Sequence, residues 1–168
     1  MKPNSSWLQR KEVSGMTANQ LQGKKVAFIS VFDKTGIDAV AKALVEEYGY
    51  TILSTGGTRK FLEENGIPAI ESSEITGFGE LLGGRVKSLH PAIFAGILAE
   101  RDKLTEADGV DFLIDTVIVN LYPFEKERDE RALSTGDPLA AGNSDALLHF
   151  IDIGGSALVR AAAKNYPS

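Results

Sequence analysis

Hydrophobic residues along this chain come in short runs whose spacing changes from one segment to the next. Val26-Ala-Phe-Ile-Ser-Val31 is almost continuously apolar, the pattern of a strand covered on both faces. Val40, Ala41, Leu44 and Val45 recur at helical spacing and predict a helix over residues 37–47. Thr51-Ile-Leu53 reads as a second strand. It ends in Ser54-Thr-Gly-Gly-Thr58, and a helix is expected over residues 59–65 with Gly66 as its stop. Ala69-Ile70 is a candidate third strand, residues 93–98 a strand or buried turn, and Ile114-Asp-Thr-Val-Ile-Val119 a clear strand. Residues 145–150 have a helical pattern, and Ile151-Asp-Ile-Gly-Gly155 opens a helix over residues 156–165. Residues 71–91 lack a period but hold an Arg, a Lys and a His among Gly, Ser and Thr. Residues 125–143 are polar and charged, hold Gly and Pro, and are expected to form a surface excursion with one helical turn. Residues 1–23 read as an N-terminal tail or a short added helix ahead of one domain over residues 24–168, with Met16 as a candidate start.

Strands alternating with helices predict an α/β fold, a mostly parallel central sheet flanked by helices. In such sheets ligands bind beyond the carboxyl ends of the strands. The length of 168 residues suits one domain able to bury a core without disulfides or metals. There is no cysteine, which removes disulfides, thiolate catalysis and cysteine-type zinc sites. No apolar run is long enough for a membrane span, and the N-terminus has no apolar segment of the secretory kind, so the cytoplasm is the default expectation. The formal net charge of -5 argues against broad nucleic-acid binding but leaves room for a small anion in a locally basic cleft.

The informative residues follow the strands. Ser54-Thr-Gly-Gly-Thr58 lies between a strand and a helix, where backbone N–H groups, hydroxyls and the helix dipole together suit a phosphate monoester held without a metal. An ordinary capped turn is the competing reading. Ser30-Val-Phe-Asp-Lys-Thr-Gly36 brings Lys34 to the same edge. There is no Walker A sequence and no dinucleotide-binding glycine fingerprint after the first strand. Gly83-Gly-Arg-Val-Lys-Ser-Leu-His-Pro91 gathers two cations, a hydroxyl and an imidazole. Arg85 beside Lys87 favours loss of the lysine proton, whereas His90 is at least as well explained by a structural role. Asp152 before Gly154-Gly155 reads equally as a helix cap, Lys164 as a solvated helix end, and Tyr122 as packing beside Pro123 and Phe124.

Taken in order, these motifs with Asn120-Leu-Tyr-Pro-Phe124, Ile151-Asp-Ile-Gly-Gly155 and Ala161-Ala-Ala-Lys-Asn165 resemble the IMP cyclohydrolase domain of the bifunctional purine-biosynthesis family, in which the domain precedes an AICAR transformylase. The resemblance runs from about Lys24 to Asn165. It implies a methylglyoxal-synthase-like three-layer sandwich and a cytoplasmic homodimer. The implied enzyme is a hydrolase of cyclic amidines running in the ring-closing direction, taking FAICAR to IMP and water with no cofactor and no metal. By this resemblance Lys87, Tyr122, Asp152 and Lys164 are the catalytic set. Phe32, Asp33, Lys34, Ser54, Thr55, Gly56, Gly57 and Thr58 are substrate contacts, the last five around the phosphate. Arg85, Val86, Ser88, Val119 and Asn120 belong to the ribose and base side, and Ile153 and Gly154 close over the base with Asp152.

Two departures stand out: the family often has Ser where Phe32 stands, and Ser88 replaces a common Thr. The family's chain also continues past residue 168, so a transformylase is expected in trans or truncated from this chain. A nucleotide-binding regulatory module of the same fold, as appended to carbamoyl-phosphate synthetase, is one rival. A methylglyoxal synthase-type lyase is the other. The joint presence of Lys87, Tyr122, Asp152 and Lys164 argues against binding alone.

Overall fold

The computed structural model describes residues 18–83, 86–136 and 145–167. Its centre is a four-stranded, all-parallel sheet built from β1 (Lys25–Ser30), β2 (Tyr50–Ser54), β3 (Ile70–Glu71) and β4 (Thr116–Val119), in the order β3-β2-β1-β4. β1 pairs with β2 from Lys25 opposite Tyr50 and with β4 from Ala27 opposite Thr116. Helices α1 (Ile37–Glu46) and α2 (Gly56–Glu64) make the first two crossovers. After β3 the chain runs through α3 (Ser72–Thr76) and α4 (Pro91–Leu98) to reach β4. It continues through α5 (Phe124–Thr135), a 3-10 segment at Asp145–Phe150, and α6 (Gly154–Lys164).

The continuous apolar run of β1 is explained by cover on both faces, because successive side chains alternate between them. Val26 and Phe28 enter one cluster with Ile93 and Ile97 of α4 and Leu158 and Ala161 of α6. Ala27 and Ile29 enter a second cluster with Ile37 and Ala41 of α1 and Leu62 of α2. Helix, sheet and helix therefore form three layers, as expected. Packing begins ahead of Lys24: a 3-10 turn at Ala18–Leu21 places Leu21 fully buried in the first cluster. Residues 1–17, most of the expected tail, lie outside the described residues.

Two expectations for local structure are corrected. Residues 93–98 are neither strand nor turn but part of α4, with Pro91 in its first turn and His90 as N-cap, whose Nδ1 accepts the Ala92 N–H at 3.2 Å. Its apolar run extends around much of the helix, so periodicity alone could not separate it from a strand. Gly96 permits the close packing, since a Cβ there would sit 3.0 Å from the Phe112 carbonyl oxygen. Residues 124–135 form a full helix, α5, rather than one turn. Charge pairs at i,i+4 spacing run along it, Lys126 to Glu130 and Arg131 to Glu127, and polar residues dominate because the helix lies at the surface. Among the described residues no helix is long and apolar enough to cross a membrane.

Candidate functional site

The strand order reverses direction beside β1: the chain runs outward to β2 and β3, then returns to place β4 on the other side. Loops leaving β1 and β4 therefore part from each other and leave a crevice beyond their carboxyl ends. A cavity of about 580 Å³ lies there, within the size range of small-molecule sites. Its walls are the end of β1 (Ser30, Val31, Phe32, Lys34), the start of α2 (Thr55, Gly57, Thr58), the loop before α4 (Gly83, Lys87, Ser88, Leu89), the exit of β4 (Asn120, Tyr122) and the approach to α6 (Leu148, His149, Ile151 to Gly155).

Many of the expected site residues meet on these walls: Lys87, Tyr122 and Asp152 from the catalytic set, with Phe32, Lys34, Thr55, Gly57, Thr58, Ser88, Asn120, Ile153 and Gly154. The others stand elsewhere. Asp33 turns back on its own loop, where its carboxylate accepts the Thr35 N–H and hydroxyl; these bonds hold it below the usual carboxylate range. Val86 pairs with Leu81 across a tight loop, and Val119 is a sheet residue packed against the first core cluster. Ser54 and Gly56 are not on the cavity wall. Lys164 ends α6, exposed, ten residues beyond Gly154 and so about 15 Å along the helix. Arg85 lies outside the described residues.

Hydrogen bonds decide what each cavity group is free to do. Ser54 donates its hydroxyl to the Ile29 carbonyl at 2.7 Å, and Thr58 both accepts from the Val31 N–H and donates to its carbonyl. The Ser54 hydroxyl thus ties the end of β2 to β1, and the Thr58 hydroxyl ties the first turn of α2 to the residue after β1, so both are committed to backbone although Thr58 lines the cavity. Thr55 remains at the cavity, its hydroxyl 3.1 Å from that of Ser30. Gly57, the second residue of α2, has an N–H with no intrahelical acceptor, as every first-turn N–H does. The Gly56 N–H is taken by Glu71 Oε2 at 3.0 Å. Burial pushes the Glu71 carboxyl above its ordinary range, and the bond from Gly56 opposes that shift.

Asn120 spends its amide on the loop after β1: Oδ1 accepts the Phe32 and Asp33 N–H groups at 2.5 and 3.2 Å, and Nδ2 donates to the Asp33 carbonyl. This clamp sets Lys34, whose ammonium folds over the Val31 and Phe32 carbonyls, with no acceptor among the described residues for its third N–H donor. Burial and then the nearby Lys87 charge push Lys34 below the ordinary lysine range. Asp152 Oδ1 accepts the Gly155 N–H at 2.6 Å. Capping and a place at the cavity are thus compatible for one carboxylate, because its second oxygen is not used in the cap. The approach of α6 depends on glycine: a Cβ at Gly154 would lie 2.7 Å from Ser88 Oγ, and one at Gly155 would lie 2.6 Å from Asp152 Oδ2.

His90, the imidazole singled out from sequence, is a helix cap packed on Phe78, and burial pushes it below the ordinary histidine range. His149 is the histidine on the cavity wall, and sequence reasoning missed it. Its proximity to Asp152 in sequence was the available signal.

A model of the MGS-like domain family matches residues 36–136. The chain belongs to that family. Among curated relatives, the bifunctional purine biosynthesis protein PurH of Aquifex aeolicus (strain VF5) is 53% identical over 145 residues, covering 83% of this chain and 26% of its own. The protein of the same name from Clostridium acetobutylicum is 51% identical over 146 residues, covering 84% and 27%. The chain thus spans about a quarter of the length of these relatives. Among solved structures, the crystal structure of ForH aligns with a TM-score of 0.63 at 29% identity, covering 86% of this chain and 70% of that one.

Proposed function

We propose that this MGS-like domain is an IMP cyclohydrolase, closing FAICAR to IMP with loss of water in the last step of purine biosynthesis. The observation that carries the reading is the meeting of Lys87, Tyr122 and Asp152 with the Gly57 helix start and Lys34 on one cavity at the sheet's switch point. The PurH names of the relatives point the same way. In this reading the start of α2 and Lys34 hold the phosphate, and the imidazole base lies toward Asn120, Ser88 and Ile153.

The carboxamide nitrogen then attacks the neighbouring formyl carbon. Asp152 takes the proton released from that nitrogen, while Lys87 and Tyr122 stabilise and protonate the formyl oxygen. Loss of that oxygen as water and of the second nitrogen proton completes the aromatic ring. Both reacting groups sit on one imidazole, so the main contribution is holding the formamide in its reactive conformer. Lys164 is out of reach of Asp152 within one chain. Its part in the reaction therefore belongs to a homodimer in which a second copy brings it to the neighbouring cavity, and a transformylase in the same cytoplasm supplies the substrate.

The test is FAICAR cyclisation followed by ultraviolet absorbance. The chain is expected to turn over, Lys87→Met to lose at least about a hundredfold, the lower range for one acid–base group, and Lys164→Met to lose activity only where the dimer forms. IMP binding with no turnover would replace this reading with that of a regulatory module.

A further inference from the structure

Tyr122 has no polar anchor for its hydroxyl among the described residues; its ring is held by other rings. Phe32 meets it edge-on, with centroids 5.3 Å apart and planes at 70°. Phe150 meets it from another side at 6.3 Å and 90°. The three rings come from the loop after β1, the exit of β4 and the 3-10 segment before α6, so the group also ties three cavity walls together. Phe32 is 49% exposed, which sets it apart from a core phenylalanine such as Phe28, and its ring stands against the Tyr122 ring. Its backbone is fixed independently of that ring, with the N–H held by Asn120 Oδ1 and the carbonyl accepting from Lys34 Nζ at 3.0 Å.

Building on the cyclohydrolase reading, we propose that Phe32 is a positioning residue: with Phe150 it brackets Tyr122 and sets the phenol on the cavity wall. A donor that stabilises charge developing on an oxygen works because it is oriented beforehand. A phenol with no polar partner among the described residues depends on edge-to-face contacts for that orientation. The residue at 32, where the resembled family often carries a serine, thus acts through its ring rather than through a hydroxyl.

The experiment compares Phe32→Leu, Phe32→Tyr, Tyr122→Phe and the Phe32→Leu/Tyr122→Phe double variant in FAICAR cyclisation. Phe32→Leu is expected to lower kcat roughly three- to tenfold, the factor one aromatic contact allows, with KM changed less than about twofold. Phe32→Tyr, which keeps the ring edge, restores kcat. In the Tyr122→Phe background Phe32→Leu has no further effect, because no phenol is left to place. A wild-type kcat in Phe32→Leu, a change in KM alone, or fully multiplicative effects would overturn the proposal. Proton spectra of the free protein decide it separately from turnover. The Tyr122 ring signals, assigned by their loss in Tyr122→Phe, should move toward ordinary tyrosine positions in Phe32→Leu. If they stay in place the bracket is wrong; if they move but the wild-type chain has no turnover, only the cyclohydrolase reading fails.

Discussion

Burial and the Lys87 charge both disfavour the protonated form of Lys34, and the sign of that shift makes a pH prediction. Below the lowered native pKa both folded and unfolded chains carry this proton, and the cost of burying the charge is present in full. Between that pKa and the usual lysine value the unfolded chain binds more protons, so the Lys34 contribution to stability rises with pH across that window. An anion in the cavity has the opposite preference, because it favours the charged lysine. IMP affinity is therefore expected to fall, with proton uptake on binding, as pH rises through the lowered Lys34 pKa. Calorimetry in buffers of different ionisation enthalpy reads the uptake directly, and the step should be absent in Lys34→Met. An affinity step of the same size in that variant would overturn the assignment to Lys34. At this scale residue types were readable from the chain but their allocation was not. Ser54, Thr55 and Thr58 looked alike as donors, yet only the folded arrangement takes Ser54 off the cavity wall and commits the Thr58 hydroxyl to the backbone, while Thr55 lies at the cavity with its hydroxyl against that of Ser30.

Among the elements, α6 connects packing to chemistry most directly. Its first turn approaches Ser88 and Asp152 at glycine positions where a Cβ would force those side chains to shift. Inside a helix, replacing glycine by alanine ordinarily stabilises by about 1 kcal/mol. At Gly155 that gain is set against displacement of the Asp152 carboxylate and Leu121, both side-chain ends that can move. Gly155→Ala is therefore expected to unfold within a few degrees of the wild type, about the shift that 1 kcal/mol makes in a domain of this size, while losing FAICAR cyclisation by at least about tenfold. Melting curves beside initial rates check it, and an active Gly155→Ala would remove Asp152 from the proposed chemistry. Long, periodic elements such as α1 were legible because one face is buried and the other is wet. The misread elements lie at the two extremes. α4 is apolar at its partly exposed positions as well as its buried ones, so no polar position marks its period, and α5 is so exposed that apolar positions cannot.

For the molecule as a whole, the cavity draws walls from segments separated by more than a hundred residues, from Ser30 to Gly155. The unfolded chain cannot hold a ligand in that way, so binding stabilises the native state by mass action. At a hundred times its dissociation constant, IMP should add about 2.7 kcal/mol, a rise in Tm of roughly 5–10 °C for a domain of this length. A thermal scan with and without IMP measures this, and no shift at saturating IMP would remove the nucleotide from the cavity. By itself the amino-acid sequence determined the α/β class, the two-sided burial of β1 and several of the loops that line the cavity, because hydrophobic period and glycine placement are local properties of a chain. Only the tertiary structure decided that β4 returns beside β1 to open the crevice, that Asn120 clamps the Lys34 loop, that His149 rather than His90 faces the cavity, and that Lys164 stands away from it. Those are contacts between distant segments, and a linear pattern carries no distance between residues that meet only when the sheet forms.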